Sequence, residues 1–105
     1  MAGMNMQQMM KQARKMQEQL AAAEDNLKTQ TVDTSAGGGM VKVTMTGDMK
    51  IGSIKIDPDA CDPEDVEMLQ DMIMAAVNEA MRMTDELAER EMGNLAGGMN
   101  LPGMR

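Results

Sequence analysis

Residues Gly37–Pro58 read GGGMVKVTMTGDMKIGSIKIDP, the most informative stretch of the chain. Val41, Val43 and Met45 alternate with Lys42, Thr44 and Thr46, the period-two pattern of a half-buried strand over Met40–Thr46. Gly47–Asp48 then predicts a two-residue hairpin turn into a third strand over Met49–Asp57. In that strand Met49 and Ile51 occupy odd positions, whereas Ile54 and Ile56 occupy even ones. A switch of parity across Gly52 predicts a β-bulge there. Upstream, Thr29–Ser35 (TQTVDTS) is rich in β-branched residues and reads as a first strand. Ala36–Gly39 forms the turn between them, because its glycines allow positive φ.

The segments on either side are helical. From about Asn5 to about Leu27, the residues Met6, Met9, Ala13, Met16, Leu20, Ala23 and Leu27 step by three and four, a sustained heptad seam. Lys11, Arg14, Lys15 and Glu18 lie off the seam, and Arg14–Glu18 and Glu24–Lys28 have ion-pair spacing. The second helix has Asp62 as its expected N-cap, Pro63 at the first helical position and acidic residues in the first turn. Its stripe runs through Val66, Leu69, Ile73, Ala76, Ala80, Met83 and Leu87, widened by Met72 and Val77, and Gly93 is its expected end. The expected organisation is one α+β domain over residues 1–92 and a flexible glycine-rich tail over 93–105. Its protomer has the order α-β-β-β-α, with a small antiparallel three-stranded sheet between two long helices that cover one side of it.

The material available for a core is unusual. The 105 residues contain no Phe, Tyr or Trp and 17 Met. Aromatic rings normally supply large rigid buried surfaces, and Met is a flexible filler. A second copy of the chain is therefore expected to complete the burial. Candidate core or dimer-interface residues are Met9, Met16, Leu20, Val41, Val43, Ile54, Ile56, Leu69 and Ile73.

Charge is segregated. The net charge of −7 conceals a first segment (1–28) of net +1, a neutral middle, and an acidic segment (58–92) of net −9. Such a balance argues against mass binding of nucleic acid and leaves room for a local basic patch at Lys11, Arg14 and Lys15. No apolar run approaches the roughly 18 residues of a membrane span, so no membrane partner is expected. The opening MAGMNMQQMMKQARK has its charges after its apolar residues, the wrong order for a secretory signal. The lone Cys61 forms no internal disulfide and agrees with a cytoplasmic setting.

Catalytic chemistry has few candidates. The chain has no His, which removes Ser-His-Asp and Cys-His arrangements and histidine metal ligands. Gly37–Gly39 is not followed by the Gly-Lys-Ser/Thr of a phosphate loop. DPDACDPEDVEM has Asp62 and Met68 where a calcium loop needs Gly and Glu. Met4, Met6, Met9 and Met10 are thioethers suited to Cu(I), although a helix core or frayed end explains them better. No enzyme activity, cofactor, metal or small-molecule substrate is expected.

With those residues in view, the chain resembles the YbaB/EbfC family of bacterial nucleoid-associated proteins. The resemblance is carried by MKQARKMQEQL (Met10–Leu20), by Gly37–Pro58, by EMLQDMIMAAVNEA (Glu67–Ala80) and by GGMNLPGM (Gly97–Met104), in that order. It implies a tweezer-like homodimer joined at the sheet, with helices as arms. It also implies a cytoplasmic, nucleoid-located binder of double-stranded DNA that alters DNA conformation with loose sequence preference, linked to gene expression or recombination and repair. Matching basic positions are Lys11, Arg14, Lys15 and Arg82. Met83 departs from the pattern, since relatives often have a second basic residue there. The competing expectation is a protein-interaction scaffold that uses Met-lined helices without significant DNA binding.

Overall fold

A computed structural model describes residues 5–98, with side chains described through Leu95. The chain runs α1 (Met6–Thr29), β1 (Thr31–Ala36), β2 (Val41–Thr46), β3 (Ile51–Ile56), a 3-10 turn (Pro58–Ala60) and α2 (Val66–Gly98). The strands form one antiparallel sheet in the order β1-β2-β3, so the expected α-β-β-β-α architecture is the one observed. The molecule is elongated, 75 × 24 × 16 Å.

Core and sheet face follow from register. Val32, Thr34 and Ala36 of β1 pair with Met45, Val43 and Val41 of β2, placing all six on one face. α2 lies across that face. Val41, Val43 and Met45 are buried there against Ala76 and Ala80, with Leu69, Met72, Ile73, Val77, Met83 and Leu87 packed around them. Ala76, Ala80 and Thr84 recur every four residues and are all buried. Their small side chains let the helix axis approach the sheet. The Thr34 hydroxyl, facing this dry layer, donates to the Ala76 carbonyl at 2.7 Å, which removes the cost of an unpaired buried hydroxyl.

The bulge is present at the expected residue. Thr44 pairs with Ser53 and Met45 with Ile51, leaving Gly52 as the extra residue. Ile51, Ile54 and Ile56 consequently stand opposite Met45, Val43 and Val41 on the same face. They are nevertheless exposed, at 49%, 41% and 37%. α2 packs over β1 and β2 and leaves β3, the edge strand, without cover.

Several local expectations are corrected. The second hairpin is closed by three residues instead of two. Thr46 N–H donates to the Lys50 carbonyl and Met49 N–H donates to the Thr46 carbonyl. Met49 takes a left-handed φ of 63°, the position glycine usually fills in such loops. α2 begins at Val66, later than expected, because Asp62 caps a separate turn by accepting from Glu64 N–H at 2.9 Å. Asp65 is the cap of α2, accepting from Met68 N–H at 3.3 Å. Nor does α2 stop at Gly93: it continues to Gly98, since a lone glycine costs an exposed helix only about 1 kcal/mol. The expected flexible tail therefore begins as helix, and its residues 99–105 lie outside the described residues.

Candidate nucleic-acid interface

α1 is capped by Asn5, whose side chain accepts from Gln8 N–H at 2.8 Å. Residues 6–18 of the helix are all exposed, and Ala23 is its one buried residue. Only the last third of α1, near Leu20, Ala23 and Leu27, rests on the body. The link to α2 is reinforced by Gln30 Nε2 donating to Glu91 Oε1 at 3.0 Å. The first two thirds form a solvated arm.

Lys11, Arg14 and Lys15 stand on that arm within one turn and a half. At 3.6 residues per turn they share one side, and Met6, Met9, Ala13, Met16 and Leu20 occupy the other. Among the described residues none of the three cations has a carboxylate within ion-pair distance. The Arg14–Glu18 and Glu24–Lys28 spacings do not close. Lys28 instead meets Asp25 at 3.8 Å. The basic cluster is thus available to an external anion.

Arg82 has a different environment. Its Nε and Nη2 donate to the Glu79 carboxylate at 2.5 to 3.2 Å, and its Nη1 donates to Glu86 at 2.5 Å. The Glu79 hydrogen bond, followed by the charges of Glu79 and Glu86, raises the guanidinium above its ordinary value. In turn the Arg82 hydrogen bond lowers the Glu79 carboxyl. Any phosphate reaching Arg82 competes with two carboxylates. The spacings i−3 and i+4 place both glutamates beside it, a signal readable in the sequence.

The other candidate residues divide by burial. Val41 and Val43 are core, while Leu69 and Ile73 pack against it. Leu20 is half-buried. Met9 and Met16, expected in the core or at a dimer interface, are 54% and 45% exposed, and among the described residues no element covers the arm's apolar side. Ile54 and Ile56 are likewise outside the protomer core. On the opposite face of the sheet, Lys42 and Lys55 are directly paired across β2 and β3, a juxtaposition hidden from the sequence until the Gly52 bulge sets the register.

A small sheet covered by α2 on one face, with a solvated helical arm whose basic cluster has no ion-pair partner among the described residues, defines an α+β protein. The chain belongs to the YbaB/EbfC DNA-binding family, whose family model matches residues 1–99. It is 52% identical over 104 residues to a nucleoid-associated protein of Desulforamulus reducens, covering 99% of each chain. To a nucleoid-associated protein of Moorella thermoacetica it is 56% identical over 99 residues, covering 94% of this chain and 95% of that one. Its fold is similar to the crystal structure of an uncharacterized protein from Helicobacter pylori, with a TM-score of 0.72 and 26% identity. That match covers 94% of this chain and all of the other. Among the described residues, no helix is long and apolar enough to cross a membrane.

Proposed function

We propose that this chain binds duplex DNA as a homodimer in the bacterial cytoplasm, contacting phosphates with its α1 arms and altering the path of the duplex. The observation that carries this reading is the cluster Lys11, Arg14 and Lys15, without an ion-pair partner among the described residues, on the exposed part of α1. Family membership agrees with it. Phosphate contacts orient a protein and convey little sequence information, so preference is loose. An effect on gene expression or on recombination and repair would follow from altered DNA conformation.

Dimerisation is supported by the row Ile51, Ile54 and Ile56, exposed beside a fully buried row on β2. A second copy placed on this edge would complete the apolar layer that α2 leaves open. Two-fold pairing presents the arm cluster twice. Six neutralised phosphates give a log–log salt slope of about −5, at about −0.9 per contact.

Mobility shifts on duplex DNA at several salt concentrations test the reading. The triple variant K11E/R14E/K15E is expected to lose binding and keep its oligomeric state, since none of these residues lies on the apolar stripe. Unchanged affinity in that variant would refute the arm as the DNA contact. The scaffold reading draws on Met6, Met9, Met10 and Met16, all exposed on the arm. It gains the lead if wild-type protein fails to bind DNA even at low salt.

A further inference from the structure

We infer that the face of the sheet turned away from α2 is a second phosphate-binding surface for duplex DNA, centred on Lys42 and Lys55. The inference rests on the DNA-binding reading above and adds a site distinct from the α1 arm. Its starting point is the register: Lys42 of β2 and Lys55 of β3 are Cα partners. Side chains so paired have their Cβ atoms about 5 Å apart, and like charges there oppose folding. Neither lysine has a carboxylate within ion-pair distance among the described residues. Asp33, the acidic group lining the same shallow depression of about 370 Å³, instead accepts a hydrogen bond from the Thr44 hydroxyl at 2.7 Å.

The surroundings of the pair suit a phosphate. Ser35 continues the Lys42–Lys55 row across β1, and Ser53 lies opposite Thr44 in the adjoining row. Two ammonium groups with serine hydroxyls beside them supply donors for phosphate oxygens. No large apolar side chain stands in these two rows to anchor a protein partner. A lysine on an edge strand also discourages sheet-to-sheet aggregation, which would explain Lys55. That account does not reach Lys42, which stands on the central strand. Charge complementarity therefore favours the DNA backbone: an anion between the lysines converts their repulsion into a shared attraction.

The test compares K42Q/K55Q with K28Q/K50Q, an equal loss of charge at two lysines already paired with Asp25 and Asp48. The sheet variant is expected to bind a duplex about tenfold more weakly at moderate salt. Its salt slope should be shallower by about 0.9 for each phosphate that is no longer neutralised. The control pair is expected to change both far less. Lysine acetylation read by mass spectrometry should show Lys42 and Lys55 protected when duplex DNA is added to the wild-type protein. If both variants behave alike, or if DNA leaves the two lysines unprotected, the sheet site is refuted while arm-dependent binding stands. Altered self-association of K42Q/K55Q with unchanged DNA affinity would also refute it, since the face would then serve another copy. Failure of the wild type to bind DNA at all would overturn the reading on which the site rests.

Discussion

Gly47 passes directly beneath the backbone of Leu27, so closely that a Cβ on Gly47 would collide with the Leu27 carbonyl oxygen. The same glycine donates its N–H to the Gln30 carbonyl at 2.9 Å. The hairpin tip and the end of α1 are thereby joined backbone to backbone, which sets the root of the arm. Gly47→Ala is expected to destabilise the fold by about 1–3 kcal/mol, because neither backbone can yield as a side chain would. Chemical denaturation measures this. Gly52→Ala, whose Cβ meets the Thr44 carbonyl at an ordinary 3.6 Å, is expected to stay within about 0.5 kcal/mol.

Met49 stabilises its hairpin poorly. A left-handed φ costs a non-glycine residue about 1–2 kcal/mol, and the side chain is 42% exposed, so it recovers little by burial. Met49→Gly is expected to stabilise the protein by about 1 kcal/mol, read as a higher denaturation midpoint with an unchanged slope. A lower midpoint would mean that the Met49 side chain has a packing role.

Release of Arg82 should strengthen DNA binding. In the double variant E79Q/E86Q the guanidinium keeps its position and loses its two carboxylate partners. The expected outcome is a several-fold gain in affinity at low salt and a steeper salt slope, by about 0.9 for each Arg82 that meets a phosphate. Adding R82Q to that variant should remove the steeper slope. If the slope does not change in E79Q/E86Q, Arg82 makes no phosphate contact.

Acid should weaken the second hairpin first. The Asp48 carboxyl is held below its ordinary value of 3.8 chiefly by a hydrogen bond from the Thr46 hydroxyl, with a smaller contribution from Lys50. A lowered folded pKa means that this stabilisation is present above the ordinary carboxyl value and is lost as pH falls through the depressed one. Thermal melts between about pH 2 and pH 6 should therefore show a decline that is shallower in Asp48→Asn. An identical decline in that variant would assign the loss to other carboxylates, Glu79 among them.

Much of this architecture is legible in the residues because two periodicities carry it. The alternation Val41, Val43 and Met45 predicts a one-faced strand, and the parity switch between Ile51 and Ile54 predicts the bulge at Gly52. Ends of elements are less legible. Asp62, Pro63, Asp65 and Gly93 can all punctuate a helix; the Asp62 side chain closes a separate turn and leaves Asp65 as the cap, and a lone glycine is too weak a stop to end α2 at Gly93. Burial is harder still to foresee. The seam Met6, Met9, Met16 and Leu20 has the pattern of a core helix, yet periodicity says which residues share a side and nothing about whether a neighbour arrives to cover it. The basic cluster is visible at once in the sequence. The partners of Arg82 follow from helical spacing, and the opposition of Lys42 to Lys55 needs the register beyond the bulge.

The asymmetric seating of α2 has a consequence for the order in which the sheet comes apart. β1 and β2 are fastened to the helix through a dry layer, whereas β3 is held mainly by its ladder to β2. In an isolated protomer the amides of β3 should exchange with solvent by local fraying, well before those of β1 and β2 open. The isoleucine strand is thus a built-in reporter. A partner seated on it would slow its deuterium uptake toward that of the central strand, and dissociation would restore the fast rate.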